Sequence, residues 1–374
     1  MTNIVCLLSY LTQTTIFFIF DAFSSSAKLI KSFKGHTDRV YSIDYSTFDD
    51  GQFLCSGSYN NTIRVWNIED NKQIQLSNEN VSSVYCVKFS SYHSYNYHSN
   101  VICFSNDNTI DFWDIKDSQQ SQVFNGHTDI VFDIKFSPFN GNRYFCSGSG
   151  DNTIRLWDIE KSKSLYVFHG HVRDVWCVDI SPLQSNSNNK SNLIGAIGGN
   201  GYTICSGSCD STICVWDIET AKLLNVFKGH KFEVKSVKYI PNELGISGGS
   251  NAILSASFDK SIRLWDIQSG KQIQVFNGHT DWIMAVEYSP FIVNNNEFNC
   301  NSNVICSGSL DNTIRFWDIR SNKKELYVIN GYEKDSGIIC LKFQQLKKKE
   351  KKRKNNEDIN LYYGTNGGDI CVWG

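Results

Sequence analysis

Asp151-Asn152-Thr153-Ile154-Arg155-Leu156-Trp157-Asp158 is the stretch on which the reading of this chain turns. From Thr153 to Trp157 the side chains alternate, Ile154 and Leu156 on one face and Arg155 and Trp157 on the other, which is the period-two signature of a β-strand. Asp151 and Asn152 supply the tight-turn chemistry ahead of it. Upstream, Ser147-Gly148-Ser149 ends another short run of strand formers, and Gly126-His127 opens the unit. The same order recurs in stretches that end at Trp66, Trp113, Trp157, Trp216, Trp265, Trp317 and Trp373, so the chain from residue 27 to 374 is predicted to be one array of seven units.

From His to Trp the first and third units span 30 residues, against 45, 35 and 38 in the fourth, fifth and sixth. The extra residues are polar and fall in 184–201, 242–251, 292–303 and 344–360, always between the first and second strand segments, so they are expected as loops on one face. No stretch has a convincing 3.6-residue period, and helix content is expected to be near zero. With 36 Lys+Arg against 38 Asp+Glu the formal charge is −2, which leaves no basic field for bulk nucleic-acid binding. Cys55, Cys146, Cys205 and Cys306 each precede a Ser-Gly-Ser triplet, a placement that reads as a buried thiol at one recurring position in a reducing compartment, cytoplasmic or nuclear.

These motifs resemble those of the WD-repeat (WD40) family across residues 27–374. The resemblance implies an all-β, seven-bladed β-propeller of four-stranded antiparallel blades, closed by the N-terminal strand: Lys28 to Phe33 would be the outer strand of the seventh blade beside the C-terminal strand that ends at Trp373. It also implies a structural network in each blade. Carried over, this gives His127, Ser147, Asp151 and Trp157, then His171/Asp210/Trp216, His230/Asp259/Trp265 and His279/Asp311/Trp317. Three units depart from the pattern: the first has Asn60 in place of Asp, the second reads Glu79-Asn80-Val81 in place of Gly-His, and the seventh has Gly331-Tyr332 with Gly367 in the turn.

The resemblance places one residue per blade, five after the His, at the channel rim: Tyr41, Phe132, Trp176, Lys235 and Met284, with Tyr85 and Ile339 equivalent by pattern. A cluster of aromatics there reads either as a plug of the channel mouth or as an interaction anchor. Tyr59, Phe258 and Leu310 stand just before the turn Asp position, where polar residues are usual, and extend the expected patch for an extended peptide, with stacking of an Arg or Lys. The partners expected are therefore other proteins or peptides, and the function a non-catalytic scaffold for complex assembly.

Only Trp317-Asp318-Ile319-Arg320 has Arg two residues after Trp-Asp; it looks like the box by which some WD-repeat proteins dock to cullin-RING ligase adaptors, which makes Arg320 a candidate docking residue for a substrate receptor. No phosphate-binding Gly-Lys-Ser/Thr loop occurs, and no catalytic residue, cofactor or small-molecule substrate is expected. The Gly-His histidines, one per blade, stand too far apart to share a metal, and Cys205, Cys209 and Cys214 lack zinc spacing. The run 347–354 (KKKEKKRK) reads as a solvated loop or an import or anionic-surface patch. Residues 1–26 are read as an apolar N-terminal extension, disordered, signal or anchor, with any membrane contact confined to 4–20; a membrane-tethered adaptor is the third reading.

Overall fold

In a computed structural model each Trp-ended stretch is the third strand of a four-stranded antiparallel sheet, and there are seven such sheets. Residues 18–48, 51–75, 82–181, 202–240, 252–292, 304–321, 325–332, 335–345 and 359–374 are described. Blade three shows the build: Val131–Phe136, Tyr144–Ser149, Thr153–Asp158 and Lys163–His169, hydrogen-bonded in that order. The first strands of neighbouring blades lie side by side around the central channel.

Alternation along each strand divides its side chains between two neighbours. Ile154 and Leu156 enter the cluster shared with blade four, while Trp157 enters the cluster shared with blade two. Seven apolar clusters result, one at each blade-to-blade interface. The glycine of Ser-Gly-Ser makes this closeness possible, since a Cβ on Gly148 would stand 2.8 Å from Val175 Cγ1 and 3.0 Å from its carbonyl oxygen.

The ring closes as the resemblance implied. Leu29–Phe33 pairs antiparallel with Ile370–Trp373 in the register Leu29↔Trp373 and Phe33↔Ile370, completing the seventh sheet. Strand pairing covers an edge that would otherwise be open to other chains.

Two short helices correct the expectation of almost none. α1 (Phe20–Ser26) follows Phe18–Ile19, which pairs in parallel with Phe291–Ile292. Its Phe20 and Phe23 are buried against Phe291 at centroid distances of 5.8 and 4.5 Å, so this part of the N-terminal extension packs on blades six and seven. α2 (Ser91–Tyr97), capped by the Ser90 hydroxyl, sits between the first and second strands of blade two, and a 3-10 turn, Asn140–Asn142, sits at the same point in blade three. These segments are too short to show a helical period, which is why alternation alone missed them. Residues 1–17, the insertions at 184–201 and 242–251, the parts 293–303 and 346–358 of the other two, and with them the 347–354 run lie outside the described residues, and among the described residues no helix is long and apolar enough to cross a membrane.

Candidate functional site

The polar networks fix the turns that carry the candidate face. In blade three His127 Nδ1 meets Asp151 Oδ2 at 2.8 Å and Nε2 meets Ser147 Oγ at 2.7 Å, while Trp157 Nε1–H donates to the same hydroxyl at 2.8 Å. A neutral His that donates through Nδ1 satisfies every member: Trp to Ser, Ser to His, His to Asp. His171 with Asp210, Ser206 and Trp216 repeats the geometry, as do His230 with Asp259, Ser255 and Trp265, and His279 with Asp311, Ser307 and Trp317. Asp151, Asp210, Asp259 and Asp311 are held well below the usual carboxylate range; burial opposes this, and hydrogen bonds from the His and from the following Thr or Ser outweigh it. Both ring nitrogens of each His are engaged, so none is open to a metal ion.

Blades one and two solve the missing residues differently. In blade one His36 Nδ1 meets the Thr62 hydroxyl at 2.6 Å in place of a carboxylate, and Asn60 turns to Thr37 and Thr62. Burial, then the Arg64 charge, bring the pKa of His36 down to about 4. Its neutral form is thus favoured in the fold while the unfolded chain protonates near 6.5, so stability from this group is complete above pH 6.5 and drains as pH falls toward 4. The loss expected for His36 alone is about 3 kcal/mol. Asn60→Asp supplies the missing carboxylate, and denaturant titrations at pH 7, 5.5 and 4.5 are expected to show a shallower acid loss than in wild type. An unchanged slope would refute this account of His36.

In blade two the hairpin is shorter, with Asp107 at φ 55° and Asn106 pairing with Thr109, so Asn106 belongs to the strand and not to the turn tip. Its side chain takes the place of the His, accepting from the Ser82 N–H at 2.9 Å and donating to Asp111 at 3.0 Å.

The tip face is tied together by main-chain hydrogen bonds. Tyr59, Gly150, Cys209, Phe258 and Leu310 each donate an N–H, at 2.8–3.0 Å, to the carbonyl of Arg39, Ile130, Asp174, Glu233 and Trp282 in the loop that enters the same blade. Phe258 stacks on Trp282 of the next blade at 4.3 Å and 10°, and Trp282 is still 46% exposed. Leu310 leans toward the backbone of Gly337 in blade seven. Trp282 was not among the sequence candidates, nor were Phe232 and Val172, exposed in sister loops. Aligning the loops by their Gly-His pairs reveals the signal: an exposed Trp where the other units have Arg39, Ile130, Asp174 and Glu233.

Tyr41, Tyr85, Phe132, Trp176, Lys235, Met284 and Ile339 all line the channel cavity. Register slips between Val40/Ser42, Val131/Asp133, Val175/Cys177, Val234/Ser236, Ile283/Ala285 and Ile338/Cys340 put this residue on a β-bulge in six blades, which re-aims it into the channel. The aromatics pack on one another: Tyr41–Tyr85 4.8 Å, Tyr85–Phe132 5.0 Å, Phe132–Trp176 4.1 Å, with exposed Tyr59 6.2 Å from Tyr41. Lys235 Nζ lies 3.1 Å from the Trp176 ring centre and 5.7 Å from that of Tyr41. The chain's own lysine thus occupies the cation-stacking position foreseen for a partner. Burial brings its pKa down to about 7, while the aromatic faces favour its charged form. Met284 is buried and helps close the mouth.

Arg320 lies along its own Asp318, with Nε 3.2 Å from one carboxylate oxygen and a terminal nitrogen 3.2 Å from the other, as Arg143 grips Asp158 at 2.8 and 2.7 Å. This geometry accounts for Arg320 within the blade. Cys55, Cys146, Cys205 and Cys306 are fully buried free thiols whose pKa burial raises well above the ordinary value. Half-buried Cys209 accepts the Trp176 indole N–H, and Cys214 is buried in the blade.

A closed ring of seven antiparallel sheets, stitched by His–Ser–Asp–Trp networks and presenting loops around an aromatic-rimmed channel, defines a β-propeller of the repeat class. The family described as WD domain, G-beta repeat matches residues 27–67, 118–158, 162–217, 221–266 and 270–318, and the chain belongs to this family. The two unmatched units are the second and seventh, which lack Gly-His. Comparison with curated proteins finds no match. Propellers of this family generally serve as protein-interaction scaffolds and bind proteins or peptides.

Proposed function

We propose that this propeller is a non-catalytic scaffold that docks a partner polypeptide across its tip face, anchored by the Phe258–Trp282 pair and Tyr59. The stacked pair carries the reading: a large aromatic surface, held rigid by stacking and by the Trp282–Leu310 main-chain bond, stands in solvent where packing does not need it. The entry loops add Asp38, Asp129, Asp174, Glu233 and Asp281 against Arg39, Arg173 and Lys231, an acidic balance that favours a partner with positive charge. The self-packed aromatics of the channel mouth form a firm floor beside this surface.

The test is a pull-down with Phe258→Ala/Trp282→Ala on one side and Val226→Ser, on an outer strand, on the other. The double variant is expected to lose its partners by at least about tenfold in affinity while keeping its melting temperature, and the outer-strand variant to keep both. Identical partner sets in wild type and the double variant would sink the proposal.

A further inference from the structure

Below the channel mouth, three residues beyond each mouth residue, every first strand carries a charge: Asp44, Lys88, Lys135, Asp179, Lys238, Glu287 and Lys342. Neighbours in this ring pair off. Lys342 meets Asp44 at 2.8 Å, Lys135 meets Asp179 at 2.7 Å and Lys238 meets Glu287 at 2.9 Å. A seven-membered ring cannot pair completely, and the residue left over is Lys88, which has no ion pair or hydrogen bond among the described residues.

The nearby carboxylates are already engaged. Asp44 accepts from the Phe89 N–H at 3.0 Å besides holding Lys342, and Asp133 accepts from the Ile134 and Val178 N–H groups at 2.9 and 3.0 Å. Burial opposes the charge on Lys88, but the carboxylates Asp44 and Asp133 favour it and the amine's pKa is raised. Lys88, Lys135, Lys238 and Lys342 are balanced in number by Asp44, Asp133, Asp179 and Glu287, and Lys235, whose pKa burial brings down to about 7, adds a fractional positive charge at the mouth. Lys88 lines a cavity of about 130 Å³ together with Ser236, whose hydroxyl accepts from the Val286 N–H and retains a proton to give. That volume exceeds the roughly 30 Å³ share of a single water.

We propose that the channel binds one small oxyanion, for which inorganic phosphate is the simplest probe, on the Lys88 ammonium at the gap in the ring of charge pairs. An ammonium with three undonated protons at the wall of the cavity calls for an acceptor, and a charge-assisted bond to an oxyanion supplies it. The site is independent of the tip-face reading, since none of its residues belongs to the Phe258–Trp282 surface.

Calorimetric titration of the full chain with inorganic phosphate at low ionic strength tests this. One saturable site is expected in wild type, with affinity reduced at least tenfold in Lys88→Met and unchanged in Lys72→Met, on an exposed outer strand. Trp282→Ala is expected to bind phosphate as wild type does, so failure of one proposal is separable from failure of the other. No saturable binding in wild type, or equal binding in Lys88→Met, overturns the proposal. Should Lys88→Met not fold, a phosphate-soaked crystal of wild type decides: density within hydrogen-bond reach of Lys88 Nζ supports the site, and its absence there overturns it.

Discussion

Trp157→Ala is expected to destabilise the propeller by about 3–5 kcal/mol. The indole is 1% exposed, lies 5.7 Å from Phe124 and stacks on Phe145 at 6.0 Å and 16°, so its removal opens a cavity at the interface of blades two and three. It also strips the Ser147 hydroxyl of its donor, which leaves a buried network incomplete. Urea denaturation read by circular dichroism measures the loss, and Trp157→Phe separates the two parts by keeping most of the volume and deleting the N–H, at about 1–3 kcal/mol. A loss under about 1 kcal/mol in the alanine variant would show that the network and its Trp do not hold the blade.

The second large effect concerns closure. Removal of residues 1–33 takes away the outer strand of blade seven, bares the edge of Ile370–Trp373 and deletes Phe33, which is 2% exposed and 5.3 Å from Trp66 across the interface with blade one. The truncated chain is expected to lose the single cooperative melting transition and to aggregate through the bared edge. Removal of residues 1–26 spares that strand and costs only the packing of α1, so its melting temperature is expected to fall by less. A single sharp transition at the wild-type temperature in the shorter chain would mean that the pairing of the first ordered strand with the last contributes nothing.

The blade plan was legible because it is local. Alternation in Thr153 to Trp157, the Asp151-Asn152 turn and the recurrence of Gly-His are all readable within one unit, and the counting of units gave the number of blades. The channel position came with the family resemblance, which places Tyr41, Phe132 and Trp176, each five residues after the His, at the rim. What escaped was non-local or broke the period. The bulge at each mouth residue shifts the strand's phase, so strict alternation does not bring Tyr41 and Asp44 to the same channel, and the ring from Asp44 to Lys342 stayed hidden. Trp282 escaped because its meaning lies in Phe258, which the fold alone brings beside it. The mutual stacking of Tyr85, Phe132 and Trp176 and the placement of Lys235 on Trp176 depend on four blades meeting at once, and no single unit encodes that. α1 was hidden by its composition: Phe20 and Phe23 in a run of apolar residues look the same whether they cover Phe291 or enter a bilayer.

The pairing of Leu29–Phe33 with Ile370–Trp373 also sets a timetable for biogenesis. A ribosome makes the two partners at opposite ends of the propeller's translation, so the six complete sheets between them can collapse one after another while the earliest hydrogen-bonding row waits for a mate. During that wait the nascent molecule carries an unsatisfied seam, and chaperones that shield exposed strands have their window between the emergence of Phe33 and that of Trp373.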